Sequence, residues 1–144
     1  MVKVLFLCHG NICRSPMAEY VLKDLAKKAG MQDRFEIASA AVSREEIGNP
    51  VYPPARRELA KHGIRCDGHA ARQVTMVDYH HFDRIYYMDN SNARYLQRMF
   101  GADAKKCRQL LECDVADPWY TGDFTQTWED ITEGCRAIME EYGC

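Results

Sequence analysis

Five residues separate Cys8 from Arg14 in the stretch Cys8-His9-Gly10-Asn11-Ile12-Cys13-Arg14-Ser15. That spacing has a chemical meaning. Successive backbone N–H groups in so short a loop can turn inward and form an anion nest. An arginine at its far end adds a planar fork of donors that matches two oxygens of a tetrahedral oxyanion such as phosphate. A thiol at the floor of the bowl sits where positive potential is greatest, so its ionisation is expected well below the ordinary cysteine value of about 8.5. Nucleophile and oxyanion binder thus fall within one turn of chain. Gly10 and Asn11 suit such a loop, because glycine and then asparagine best tolerate a positive φ.

The flanking residues supply the frame. Val2–Leu7 is apolar enough on both faces for a buried parallel strand. Ser15 is expected to cap the helix that follows and Pro16 to open it. Met17, Val21, Leu22, Leu25 and Ala29 recur at helical spacing until Gly30. The N-terminal end of that helix adds its positive pole to the loop. Further on, Phe35–Ser39 predicts a second strand, Ser43–Pro54 a loop and Pro54–His62 a second helix stopped by Gly63. Ile64-Arg65-Cys66 and the run to Thr75 read as irregular or as a short helix, followed by a brief helix over Val77–His81. Phe82–Met88 predicts a third strand, Asp89-Asn90-Ser91 the cap of a helix to Met99, and Arg108–Leu111 a fourth strand. Glu112–Thr125 is a long loop. Thr127–Tyr142 closes the chain as a helix with Trp128, Ile131, Cys135 and Ile138 on one face.

Alternating strands and helices call for an open parallel sheet, twisted and covered on both faces, with ligands beyond the carboxyl ends of its strands. Cys8 falls at such an end. The 144 residues suit a single α/β domain, residues 1–144, large enough for a real core. Apolar residues at 47% and charged residues at 28% are ordinary for a soluble globular protein. A net charge of -2 gives no general attraction to nucleic acid or acidic membranes, so anion binding must be local. The apolar opening is too short for a signal-peptide core, and a cytoplasmic location is expected. Seven cysteines, an odd number, fit a reduced setting better than a disulfide framework. No Cys-x2-Cys pair suggests structural zinc. Neither a metal nor another cofactor is called for, and a monomer is the default.

The stretch from Cys8 through Ser15-Pro16-Met17-Ala18-Glu19 resembles the loop of the low-molecular-weight protein tyrosine phosphatases, and the likeness extends over essentially the whole chain. It implies a Rossmann-like four-stranded sheet and hydrolysis of phosphotyrosine in proteins and of aryl phosphates. Cys8 would attack phosphorus and form a thiophosphate that water hydrolyses. Arg14 would clamp the phosphoryl group, with the backbone amides from His9, Gly10, Asn11, Ile12 and Cys13 to Arg14, and Ser15, completing the phosphate site. Inorganic phosphate or other oxyanions would bind there as product or inhibitor. Ser15 would donate to the Cys8 sulfur. Ser39 and His69 match the residues that hold the family asparagine left-handed, here Asn11, by hydrogen bonds from a serine and a histidine. Asp117, in Asp117-Pro118-Trp119-Tyr120, matches the general acid, whose ionised form would later activate water. Trp119 and Tyr120 would wall the leaving-group ring, Tyr120 also being a candidate for regulatory phosphorylation. Cys13 matches a cysteine that forms a reversible disulfide with the nucleophile. Asp89 is expected to cap its helix.

His9 and Glu45 depart from the pattern. His9 replaces a small or apolar residue. Glu45 and Glu46 occupy a loop where some relatives carry an aromatic. The acidic rim is expected to disfavour strongly acidic phosphopeptides. Arsenate reduction uses a similar loop, but it needs a cysteine relay. Cys107 and Cys113 are the only nearby-spaced later pair, and they fall around the fourth strand, after the region where the related reductases keep theirs. A protein-arginine phosphatase is the sister activity, and Ile12 replaces the threonine of those relatives. A non-enzymatic phosphate-binding or redox-sensing module leaves the filled catalytic positions without a purpose.

Overall fold

Val4, Leu5, Phe6 and Leu7 are fully buried. A strand apolar on both sides belongs in the middle of a sheet, and there β1 (Val2–Cys8) lies. The computed structural model describes residues 1–101 and 106–142; Cys144 of the seven cysteines lies outside them. β1 pairs in parallel with β2 (Phe35–Ala41) from Val2↔Phe35 to Cys8↔Ala41. On its other side it pairs in parallel with β3 (Arg84–Tyr87), Val4↔Arg84 to Leu7↔Tyr87. β4 (Cys107–Gln109) adds to β3, giving the four-stranded order β2-β1-β3-β4 among the described residues.

Side chains alternate across a strand, and the core divides accordingly. Val4, Phe6 and Cys8 join Met17, Val21 and Leu22 of α1 (Arg14–Lys28), Leu59 of α2 (Pro53–Lys61) and Ile131, Cys135 and Ile138 of α6 (Phe124–Tyr142). Leu5 and Leu7 face Val74, Phe82, Ile85 and Leu96 on the other side, beneath α3 (Met76–His81) and α4 (Asn90–Phe100). Each such buried side chain contributes on the order of 2 kcal/mol. Gly134 of α6 is there for closeness: a Cβ would meet Leu110 Cγ at 2.4 Å.

Most elements fall where the sequence puts them, with three corrections. Ser15 is not the cap of α1. Cys13 occupies that position without a side-chain hydrogen bond, and Ser15 sits in the first turn with its hydroxyl turned to the loop. The Glu112–Thr125 loop carries a short helix, α5 (Pro118–Thr121), whose first amide is lost to proline and whose Trp119 N–H is taken by Asp117 Oδ1 at 3.0 Å. α6 consequently starts at Phe124. β3 is shorter than the run Phe82–Met88, because the Met88 N–H turns to Asn92 Oδ1 at 3.0 Å. Asp89 does cap α4, its Oδ1 accepting the Asn92 N–H at 2.9 Å.

Candidate active site

The loop between β1 and α1 is held from outside by main chain. The Cys8, His9 and Ile12 carbonyls accept from the N–H groups of Val42 (3.0 Å), Ser43 (3.1 Å) and Tyr52 (2.8 Å). Asn11 is wholly buried and left-handed, with φ 60°. Its side chain pins the turn. Nδ2 donates to Ser15 Oγ at 2.8 Å and to Ser39 Oγ at 2.9 Å, while Oδ1 accepts the Arg72 N–H at 3.2 Å. His69 Nε2 lies 2.8 Å from the Asn11 carbonyl, which it holds as donor. All the expected supports meet here, but the serine bond runs the other way from expectation, from Asn11 to Ser39. Gly10 is a second correction. It is not left-handed; its lack of a side chain matters because a Cβ would lie 3.1 Å from Glu46 Cγ.

Cys8 is 3% exposed; its sulfur lies 3.0 Å from Ser15 Oγ, and the Ser15 N–H points to it at 3.4 Å. Arg14 is equally buried. Its Nη1 donates to Asp89 Oδ2 at 2.6 Å and to the Val115 carbonyl at 2.8 Å, and its Nη2 lies 3.4 Å from Asp117 Oδ2. Burial works against the Arg14 charge, but Cys8, Asp89 and Asp117 outweigh it and raise its pKa above the ordinary value. Burial pushes the Cys13 thiol up, and the neighbouring Cys8 and Asp117 add to that.

Above the loop is a cavity of about 420 Å³. Cys8, Arg14 and Asp117 line it, with His9, Gly10, Ile12, Cys13, Glu45, Glu46, Trp119 and Tyr120. Trp119 and Tyr120 remain 53% and 84% exposed, so they offer apolar surface at its mouth. Trp119 leans on Tyr52, ring centroids 4.8 Å apart. His9 pairs with the Glu45 carboxylate and sets its ring against Tyr95. Among the described residues no cluster of His, Cys, Asp and Glu could hold a metal, and no helix is long and apolar enough to cross a membrane.

Three contributors escape a reading of spacing alone: the grip of Asp89 on Arg14, the Val115 carbonyl, and Glu19, whose Oε1 accepts from Ser39 Oγ at 2.6 Å. Only Asp89 carried a local signal, as a helix cap.

Residues 3–143 match the family model described as low molecular weight phosphotyrosine protein phosphatase. The low molecular weight protein-tyrosine-phosphatase YfkJ of Bacillus subtilis is 40% identical, over 96% of this chain and 94% of its own. The low molecular weight phosphotyrosine protein phosphatase of Gallus gallus is 39% identical over the same shares. The crystal structure of YfkJ superposes with a TM-score of 0.94, covering 98% of this chain and 94% of the other at 39% identity.

Proposed function

Because the chain belongs to the low molecular weight phosphotyrosine protein phosphatase family, we propose that this protein tyrosine phosphatase works through a phosphocysteine on Cys8. The observation that carries the reading is that Cys8, Arg14 and Asp117 line one cavity. The Cys8 thiolate attacks phosphorus of a phosphotyrosine or another aryl phosphate monoester. The S–P bond forms, the P–O bond breaks, and Asp117 gives its proton to the departing phenolate oxygen. Arg14 and the amides of residues 9–14 take the equatorial oxygens. Water then attacks the thiophosphate, Asp117 accepts its proton, and the S–P bond breaks to return thiolate and inorganic phosphate. The scheme needs no metal or other cofactor.

Trp119 and Tyr120 flank the phosphotyrosine ring, and His9 and Glu45 meet the residues beside it. Cys13, kept protonated by burial, does not compete with Cys8. After a peroxide has oxidised Cys8 to the sulfenic acid, the Cys13 thiol closes the disulfide with loss of water. The protein acts as a monomer in the cytoplasm on phosphotyrosine-containing proteins.

Acid quenching during turnover of an aryl phosphate tests the reading. The phosphoryl group is expected on Cys8, Cys8→Ser is expected to bind phosphate without turnover, and arsenate is expected not to be reduced. Wild-type turnover in Cys8→Ser, or arsenate reduction in its place, overturns it.

A further inference from the structure

The buried hydrogen bonds behind the loop have a direction, and one residue outside the loop sets it. Glu19 on α1 is only 8% exposed. Its Oε2 takes the Lys23 ammonium at 2.6 Å and its Oε1 lies 2.6 Å from Ser39 Oγ. A carboxylate paired with an ammonium only accepts, so Ser39 must spend its single proton on Glu19. Ser39 Oγ is then left as an acceptor, and it takes one amide hydrogen of Asn11 at 2.9 Å. The Arg72 N–H, 3.2 Å from Asn11 Oδ1, agrees with that direction over a longer contact than the Ser39–Glu19 bond that sets it. The other Asn11 amide hydrogen goes to Ser15 Oγ at 2.8 Å. The Ser15 proton therefore points away from Asn11. Two acceptors remain, the Ala40 carbonyl at 3.4 Å and the Cys8 sulfur at 3.0 Å. The second is close for so large an atom, and it is the stronger acceptor when charged.

We propose that Glu19 is a positioning residue for dephosphorylation: through Ser39 and Asn11 it orients the Ser15 hydroxyl to donate to the Cys8 sulfur as the S–P bond breaks. The proposal rests on Cys8 being the nucleophile. Donation to sulfur helps most when sulfur leaves. In the first step it favours the thiolate but weakens its attack, and the two effects oppose each other.

Glu19→Gln keeps the shape and reverses the polarity. Beside the Lys23 ammonium the glutamine turns its oxygen to Lys23 and its NH2 to Ser39. The Ser39 proton, no longer drawn to residue 19, can then turn against the Asn11 NH2, only the long 3.2 Å bond from the Arg72 N–H still holds that amide, and the orientation of Ser15 weakens. The experiment is stopped-flow turnover of p-nitrophenyl phosphate with acid-quench measurement of phosphocysteine. In Glu19→Gln the first-turnover release of nitrophenolate is expected to persist, kcat to fall about tenfold, and kcat/KM to fall less than about threefold. Adding Lys23→Met frees the glutamine to turn its oxygen to Ser39 and is expected to restore most of kcat. Glu19→Gln is expected to cost nothing further in a Ser39→Ala chain. Equal loss in kcat and kcat/KM, or no rescue by Lys23→Met, overturns the proposal, as does an unchanged kcat. If Glu19→Gln does not fold, Ser39→Ala breaks the same chain. Unchanged partition between its two steps then counts against Glu19. A wild-type enzyme without phosphocysteine overturns the nucleophile reading itself.

Discussion

Asp89 grips the Arg14 guanidinium from behind, Oδ2 to Nη1 at 2.6 Å, while its other oxygen caps α4 at 2.9 Å. One carboxylate thus joins the Arg14 guanidinium to a helix start. Asp89→Asn retains a capping oxygen and loses the charge partner. We expect kcat/KM to fall about tenfold and phosphate inhibition to weaken, with a melting temperature near that of wild type. Asp89→Ala should additionally cost about 1 kcal/mol of stability from the lost cap. Kinetics and thermal melts separate the two losses.

Asp117→Asn tests proton donation. Phosphates with poorly departing alcohols need the proton, and nitrophenyl esters need it little. The variant is expected to lose on the order of 10²-fold in kcat/KM on phenyl phosphate and far less on p-nitrophenyl phosphate. An equal loss on both rules out Asp117 as the acid.

Asn11 and Gly10 make opposite demands. Asn11→Gly keeps the left-handed turn and loses the amide bonds; Asn11→Ala loses both, so it is expected to be the less stable and the less active of the two. Gly10→Ala has no backbone strain to relieve. Its methyl group only has to move Glu46 Cγ, now 3.1 Å away, so a cost below about 1 kcal/mol is expected in urea unfolding.

Asp78 gives a prediction in pH. Burial works against its charge, but the Arg72 guanidinium and the Thr75 N–H, each at 2.8 Å, prevail and hold its pKa below the ordinary carboxylate value. A depressed folded pKa stabilises above the unfolded value, about 4, and that part is lost as pH falls through the lower folded value. The urea midpoints of wild type and Asp78→Asn should therefore differ by a constant amount from pH 7 to about pH 5. Below about pH 4 they should converge. Parallel curves down to acid would contradict the assignment.

The rim is tested with phosphotyrosine peptides that differ only in flanking charge. With Glu45 and Glu46 lining the mouth, lysine-flanked peptides are expected to react several-fold faster than glutamate-flanked ones at low ionic strength. Glu45→Gln should narrow the gap. Equal rates on both peptides dispose of the idea.

The sheet was legible because Val2–Leu7 is apolar on both faces and the alternation of elements leaves few topologies. Cys8 and Arg14 were legible because their pairing is local. The Asp-Pro turn and the family likeness drew attention to Asp117, which lines the cavity, although the helix it caps was not foreseen. The hold of Asp89 on Arg14 joins residues 75 positions apart. It follows from β3 lying beside β1, which brings the residues after both strands to one edge of the sheet. No local pattern encodes that. The role of Gly10 and the donor direction at Asn11 were also hidden, since both depend on atoms brought in by distant segments.

The bond from Arg14 to the Val115 carbonyl has a bearing on biosynthesis. Cys8 and Arg14 leave the ribosome more than a hundred residues before Val115 and Asp117, the groups that brace Arg14 from the later part of the chain. A nascent chain therefore carries its sulfur and its cation long before it has a working centre. On the proposed mechanism, hydrolysis waits for the segment around residues 115 to 117 to be made.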